Sequence, residues 1–208
     1  VTSITRVLGE GAHNWTVQAQ DWLGNASGYA DEWAVTIDTT PPPVPALLSP
    51  GDDAYTNSAD VEFSWSDVGA PTYHLRVDGA VYVTRDTSMT QTLGEGAHDW
   101  AVQALDWLGN ASAYSAEWTV NVDTTAPPVP ALQSPADDSY INQADVEFRW
   151  EDVGAPTYTL RVDGAVYTTT ATSMTRALAD GAHDWTVRAL DWLGNASAYA
   201  TEWTVTVD

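Results

Sequence analysis

Between Asp60 and Trp65 polar and apolar side chains alternate without a break, so Val61, Phe63 and Trp65 share one face. A period of two is that of a half-buried β-strand. The same alternation groups Tyr73, Leu75 and Val77, then His98, Trp100, Val102 and Ala104, then Trp118, Val120 and Val122. Turn-forming residues separate these runs: Asp67-Val68-Gly69-Ala70-Pro71, the hairpin pair Asp78-Gly79, and Gly94-Glu95-Gly96. Shorter strands are expected over 44–49, 80–84 and 88–93, the first flanked by prolines that blunt a sheet edge. No segment sustains a helical period. About seven strands in some 85 residues is the count of an immunoglobulin-like β-sandwich.

The pattern recurs. Trp15, Trp100 and Trp185 are 85 residues apart, as are Asn25, Asn110 and Asn195. A fixed period of this size means an array of similar units. Asp38-Thr39-Thr40-Pro41-Pro42-Pro43 and Asp123-Thr124-Thr125-Ala126-Pro127-Pro128 mark the boundaries. Their prolines fix φ and remove donors, giving stiff linkers. Complete repeats are therefore expected at 39–123 and 124–208. Residues 1–38 match 86–123 and 171–208 without gaps and supply only the last strands of a repeat. Either a longer array or strands from a neighbouring molecule would complete them. The first is favoured, because the C-terminal repeat is whole and has no spare strand to donate.

The motifs Ser49-Pro50, Phe63-Ser64-Trp65, Tyr73-His74-Leu75-Arg76-Val77-Asp78, Leu93-Gly94-Glu95-Gly96, Trp100-Ala101-Val102-Gln103-Ala104 and Asp106-Trp107-Leu108-Gly109-Asn110 resemble those of tandem fibronectin type III-like, immunoglobulin-like repeats of bacterial and archaeal surface proteins. The resemblance covers nearly the whole chain. It implies an all-β fold of tandem sandwiches serving as spacers, adhesins or enzyme appendages. Such modules usually carry a tyrosine six residues before the position of Ala104. Here that slot holds His98, with His13 and His183 in the other copies. These histidines are expected to hydrogen-bond nearby backbone in its place.

Charge narrows the partners. The formal net charge is −22, with no Cys and no Lys. Twelve acidic residues against two arginines give −10 for 39–123; twelve against four give −8 for 124–208. Phosphate binding needs cationic contacts, so nucleic acid and anionic membranes are poor partners, and no segment reads as membrane-inserting. Without cysteine there are no disulfides, and without lysine no Lys–Asn isopeptide bonds.

Three candidate sites remain. Trp22, Trp107 and Trp192 sit in loops beside Leu23, Leu108 and Leu193, where a large apolar side chain needs cover. Trp107 is expected to stack on Pro41, Pro42 and Pro43, and Trp192 on Pro127 and Pro128. The alternatives are a sugar-stacking platform and a contact between chains. Next, sandwich topology brings Asp67, Asp106 and Asn110 towards Asp38, and Asp152, Asp191 and Asn195 towards Asp123. Such oxygen-rich groups suit Ca²⁺, against a plain turn-forming role. Third, Asn25, Asn110 and Asn195 each head an Asn-Ala-Ser sequon that can take a glycan in a secreted protein, and Asn14-Trp15-Thr16 adds a fourth. Asn also favours these turns in its own right.

No catalytic constellation is present. Asp52-Asp53 and Asp137-Asp138 read as turn carboxylates. The chain is thus expected to be a non-enzymatic, extracellular or cell-surface segment of a prokaryotic fibre, filament or stalk that self-associates. The rivals are an adhesin or carbohydrate-binding array that meets cell-surface glycans, and the spacer region of a large secreted enzyme.

Overall fold

A computed structural model describes residues 2–208, and every regular element in it is a β-strand. The strands are β1 (Gly11–Trp15), β2 (Trp33–Ile37), β3 (Leu47–Ser49), β4 (Ala54–Thr56), β5 (Asp60–Trp65), β6 (Thr72–Val77), β7 (Ala80–Thr84), β8 (Ser88–Thr92), β9 (Gly96–Leu105) and β10 (Trp118–Val122). Eight more follow: β11 (Leu132–Ser134), β12 (Ser139–Ile141), β13 (Asp145–Trp150), β14 (Thr157–Val162), β15 (Ala165–Thr169), β16 (Ser173–Ala177), β17 (Gly181–Leu190) and β18 (Trp203–Val207). Each strand from β11 to β18 repeats its counterpart from β3 to β10 at the 85-residue spacing. Among the described residues no helix is long and apolar enough to cross a membrane.

Contact density divides the chain into two compact units. The second takes Pro50–Phe63, Thr90–Asp99 and Trp118–Asp208. It holds one sandwich entire. A three-stranded sheet in the order β11-β13-β16 and a five-stranded sheet in the order β12-β18-β17-β14-β15 enclose a common core. The alternating faces meet there as the sequence pattern requires: Val146, Phe148, Trp150, Tyr158, Leu160, Val162, Trp185, Val187, Ala189, Val205 and Val207 are buried together. Phe148 lies against Trp185 at 4.9 Å between ring centroids, and Trp203 meets Trp185 edge-on at 5.9 Å. Aromatic pairs at these separations add to plain area burial.

The first unit runs to Ser49 and takes in Ser64–Met89 and Trp100–Glu117. Within it β6 pairs antiparallel with β7 and with the second half of β9, Leu75 facing Tyr82 on one side and Val102 on the other. Trp65 packs on Tyr73 at 5.8 Å, as Trp150 does on Tyr158 at 5.9 Å in the second unit. β1 and β2 pair from Gly11↔Ile37 to Trp15↔Trp33. Trp15 and Trp33 touch edge-on but remain exposed, whereas Trp100 and Trp185 are buried. β6 and β14 flank those two tryptophans, with Val77 facing Trp100 and Val162 facing Trp185.

One strand escaped the sequence pattern. The pattern predicts an edge strand over 44–49 and turn carboxylates at Asp52-Asp53; the structure adds a second short strand, with β3 in the three-stranded sheet and β4 in the five-stranded one. Gly51, Asp52 and Asp53 make the step between sheets, with Asp53 at φ +59°. β4 then pairs parallel with β10, Thr56 facing Val122, and Asp52 accepts a hydrogen bond from Thr119 N at 2.9 Å. β12 and β18 repeat this, with Asp137 accepting from Thr204 N at 2.8 Å. Three residues are too few for periodicity to register.

Candidate functional site

The Asp-Trp-Leu-Gly-Asn loops are built by their first and last residues. In the copy from Asp106 to Asn110, one Asp106 carboxylate oxygen accepts Leu108 N (2.8 Å) and Asn110 N (2.9 Å), and the other accepts Asn110 Nδ2 (2.7 Å). Gly109 takes φ +88°, a left-handed conformation that a side chain would strain. Asp21 and Asp191 organise the other copies through the same bonds. The Asn110 side-chain hydrogen bond, more than any other contact, holds the Asp106 carboxyl below the usual range. Beyond the loop, Ser112 is buried. Its hydroxyl accepts Ala104 N and donates to Ala113 O, fastening the returning chain along β9.

The second hydrogen of each amide leaves the loop. Asn110 Nδ2 donates to Asp38 O at 2.9 Å, the last residue before the first proline-rich linker. Asn195 Nδ2 donates to Asp123 O at 2.8 Å, the last residue before the second. Each linker is fastened again at its start: Thr39 donates through its amide and hydroxyl to Glu10, and Thr124 likewise to Glu95. Asn57 Nδ2 also reaches Leu193 O at 2.9 Å. Thus Asn110 meets Asp38, and Asn195 meets Asp123, as sandwich topology required.

At these junctions the carboxylates expected to gather turn to local partners. Each carboxylate turns to nearby donors: Asp38 to Thr40 N, Asp123 to Thr125 N, and Asp106 and Asp191 to their own loops. Asp67 accepts Gly69 N and the Tyr73 hydroxyl, and Asp152 accepts Gly154 N and the Tyr158 hydroxyl, which draws both carboxyls below their ordinary range. The asparagines present N–H where a ligand oxygen would be needed. Among the described residues no three acidic or histidine side chains gather as metal ligands.

The tryptophans do not stack on the linkers either. Trp22, Trp107 and Trp192 are 90, 83 and 89% exposed, whereas a ring laid on prolines would lose much of one face. The Asx-type turn, with Asp106 on Leu108 N and Asp191 on Leu193 N, leaves these side chains in solvent. The neighbouring leucines differ among themselves. Leu23 and Leu108 are 67 and 66% exposed, but Leu193 is half-buried in a hollow of about 360 Å³ that it lines with Tyr55, Asp123, Asp191 and Trp192.

The histidines take the backbone bond expected of them. His13, His98 and His183 engage Gly9 O, Gly94 O and Ala179 O through Nε2 at 2.8–3.0 Å. His183 also faces Asp163 through Nδ1 at 2.6 Å. Asp163, and then Ala179 O, raise its pKa above the ordinary value.

No protein-family model matches the chain. It is 31% identical over 223 residues to Exoglucanase B of Cellulomonas fimi; the match covers 94% of this chain and spans 20% of that protein's length. Among solved structures, the fibronectin(III)-like modules of Clostridium thermocellum CbhA superpose with a TM-score of 0.55 at 16% identity, covering 79% of this chain and 94% of theirs. The FN1-FN3 domains of chicken CNTN1 give 0.54 at 12% identity, covering 95% and 76%. The fold is the fibronectin type III-like β-sandwich in tandem.

Proposed function

We propose that the chain is a non-catalytic spacer carried outside the cell by a larger prokaryotic protein. Its repeats are bounded at 39–123 and 124–208, and 1–38 is the end of another. The observation that carries this reading is the repeated fastening of linker to loop: Asn110 on Asp38 and Asn195 on Asp123, each beside a proline-rich segment. Proline restricts the linker from within, and the amide bond ties it from outside, so successive repeats keep a set spacing. The uniform negative charge opposes collapse of one repeat on another. The likeness to one fifth of an exoglucanase and to the CbhA modules supports a spacer in a secreted enzyme; a surface fibre or stalk would use the same mechanics.

Small-angle scattering on the monomer tests the reading. A spacer gives a maximum dimension that stays constant from about 0.05 to 0.5 M salt, where charge repulsion is largely screened. A dimension that shrinks steadily with salt would mean that repulsion alone, and no fastening, separates the repeats.

The exposed Trp22, Trp107 and Trp192 favour a second reading, a polysaccharide-binding array. Saturable quenching of tryptophan fluorescence by a soluble polysaccharide, abolished in a triple Trp→Ala variant, would select it over the spacer.

A further inference from the structure

In the hollow of about 360 Å³ beside Leu193, an exposed tryptophan loop meets a second aromatic ring. Tyr55, Asp123, Asp191, Trp192 and Leu193 line it, and all five belong to the second compact unit. One side is the end of β4 and β10, where Asp123 N closes on Thr56 O at 2.9 Å. The other is the loop from Asp191 to Asn195. Two bonds tie the sides together: Asn57 Nδ2 donates to Leu193 O at 2.9 Å, and Asn195 Nδ2 to Asp123 O at 2.8 Å. The loop is braced from within, since Asp191 accepts Leu193 N and Asn195 N at 2.8 Å. The concavity is thus built into the fold, which lowers the ordering cost of filling it.

The lining selects the ligand. Trp192 and Tyr55 are 89 and 67% exposed, so ring surface is free to take a partner, and half-buried Leu193 adds apolar surface between them. The charged groups of the lining are Asp123 and Asp191, and no arginine stands among them. A phosphate, sulfate or carboxylate would meet two like charges and no cation. Asp123 gives one carboxylate oxygen to Thr125 N at 3.1 Å; among the described residues no donor reaches the other, which can accept a hydroxyl hydrogen. A fitting ligand therefore shows flat apolar surface to the rings and hydroxyl donors at its edge, and carries no negative charge. A pyranose with equatorial substituents has this form: its C–H bonds point from the two faces and its hydroxyls from the rim.

We propose that the hollow between Tyr55 and Trp192 binds a neutral pyranose unit of a polysaccharide, the sugar lying against the two rings and donating a hydroxyl hydrogen to Asp123. Trp22 and Trp107 supply an internal comparison. They stand on loops with the same internal bonds, but their neighbours Leu23 and Leu108 remain 67 and 66% exposed, against the half-buried Leu193. The contact spans one or two sugar rings, so it is weak, with a Kd of about 0.1–3 mM. The proposal rests on the polysaccharide reading and narrows it from three exposed tryptophans to one built site. The spacer reading stands whatever its outcome, because spacing is measured without sugar.

Titration of the 208-residue chain with cellohexaose to about 10 mM, followed by ¹H–¹⁵N NMR, is the test. The β-linkages of this sugar keep the substituents of every ring equatorial. The Trp192 indole N–H and the amides of Tyr55 and Leu193 should shift and saturate, while the Trp22 and Trp107 indoles move at least about tenfold less. The matching glucuronate hexamer, which adds a carboxylate to each ring, should leave all of them in place. Tyr55→Ala and Trp192→Ala, both at exposed positions that leave the fold intact, should each weaken the saturation of the Leu193 shift at least about tenfold. Trp22→Ala with Trp107→Ala should leave it unchanged. Equal saturable shifts at all three tryptophans would overturn the hollow and keep the array. Undiminished binding in Tyr55→Ala, or equal binding of the glucuronate hexamer, would overturn it too. No saturable shift at any tryptophan would overturn both the hollow and the array.

Discussion

Replacing Asn195 by alanine removes two hydrogen bonds of different kinds. The bond to Asp191 at 2.7 Å lies inside the loop, and the bond to Asp123 O at 2.8 Å crosses to the linker. The loop should survive, because Asp191 still accepts Leu193 N and Asn195 N at 2.8 Å. What is lost is the tie. A neutral amide-to-carbonyl bond contributes about 1 kcal/mol net, so the untied population should rise about fivefold. Asn25→Ala is the matched control: it removes the same internal bond, 2.8 Å to Asp21, and among the described residues no linker carbonyl accepts from this amide. The assay is ¹⁵N relaxation, comparing rotational correlation times of residues 39–123 and 124–208. In the native chain and in Asn25→Ala the two sets should tumble together. In Asn195→Ala they should separate, with shorter times for both. Asn57→Ala removes the other bond to this loop and should act in the same direction. The double variant should fall short of the product, because both bonds hold one loop. If Asn195→Ala tumbles like the control, the fastening argument fails and the prolines alone set the spacing.

Phe148→Ala should cost about 3–5 kcal/mol in urea unfolding of residues 124–208, because a fully buried ring against Trp185 leaves a cavity that close packing cannot refill; a loss below about 1 kcal/mol would contradict the core described. The His183 ring should titrate above 6.5 by NMR and move down in Asp163→Asn. Its folded pKa is raised, so its stabilising contribution is complete below 6.5 and is lost as pH rises through the folded value; a midpoint at or below 6.5 would refute the pairing. Asp67 and Asp152 have lowered pKa values, so their contribution is present above 3.8 and should disappear as acid carries the pH through the folded values; acid unfolding unchanged in Asp152→Asn would count against it. Folded protein offered to an oligosaccharyltransferase should gain a glycan at Asn25 before Asn110 or Asn195, whose Nδ2 hydrogens are both engaged; equal occupancy by peptide mass mapping would show that the junction amides are free.

Residue order alone determined the elements and their repetition. Alternation at Val61, Phe63 and Trp65 and at Tyr73, Leu75 and Val77 specified buried faces, since a strand's side chains must alternate whatever they pack on. Asp78-Gly79 and Asp106 to Asn110 specified turns through chemistry contained within the turn. The 85-residue spacing carried the repetition, and the sandwich topology expected from the strand count placed Asn110 near Asp38. Other features depended on partners distant in sequence. β4 exists because β10 offers it an edge, and three residues cannot announce that. Whether Trp107 stacked on prolines or faced solvent was not legible in the sequence, because the orientation of a loop side chain depends on its tertiary surroundings; it faces solvent. Asp38, Asp106 and Asp123 were legible as neighbours of a junction, but the direction of each carboxylate was not. Each carboxylate accepts a local N–H donor. Leu193 differs from Leu23 and Leu108 only in what another part of the chain lays beside it, so three identical loops acquired different surroundings. Local pattern fixes what each residue can do, and tertiary contacts decide which of those options is taken.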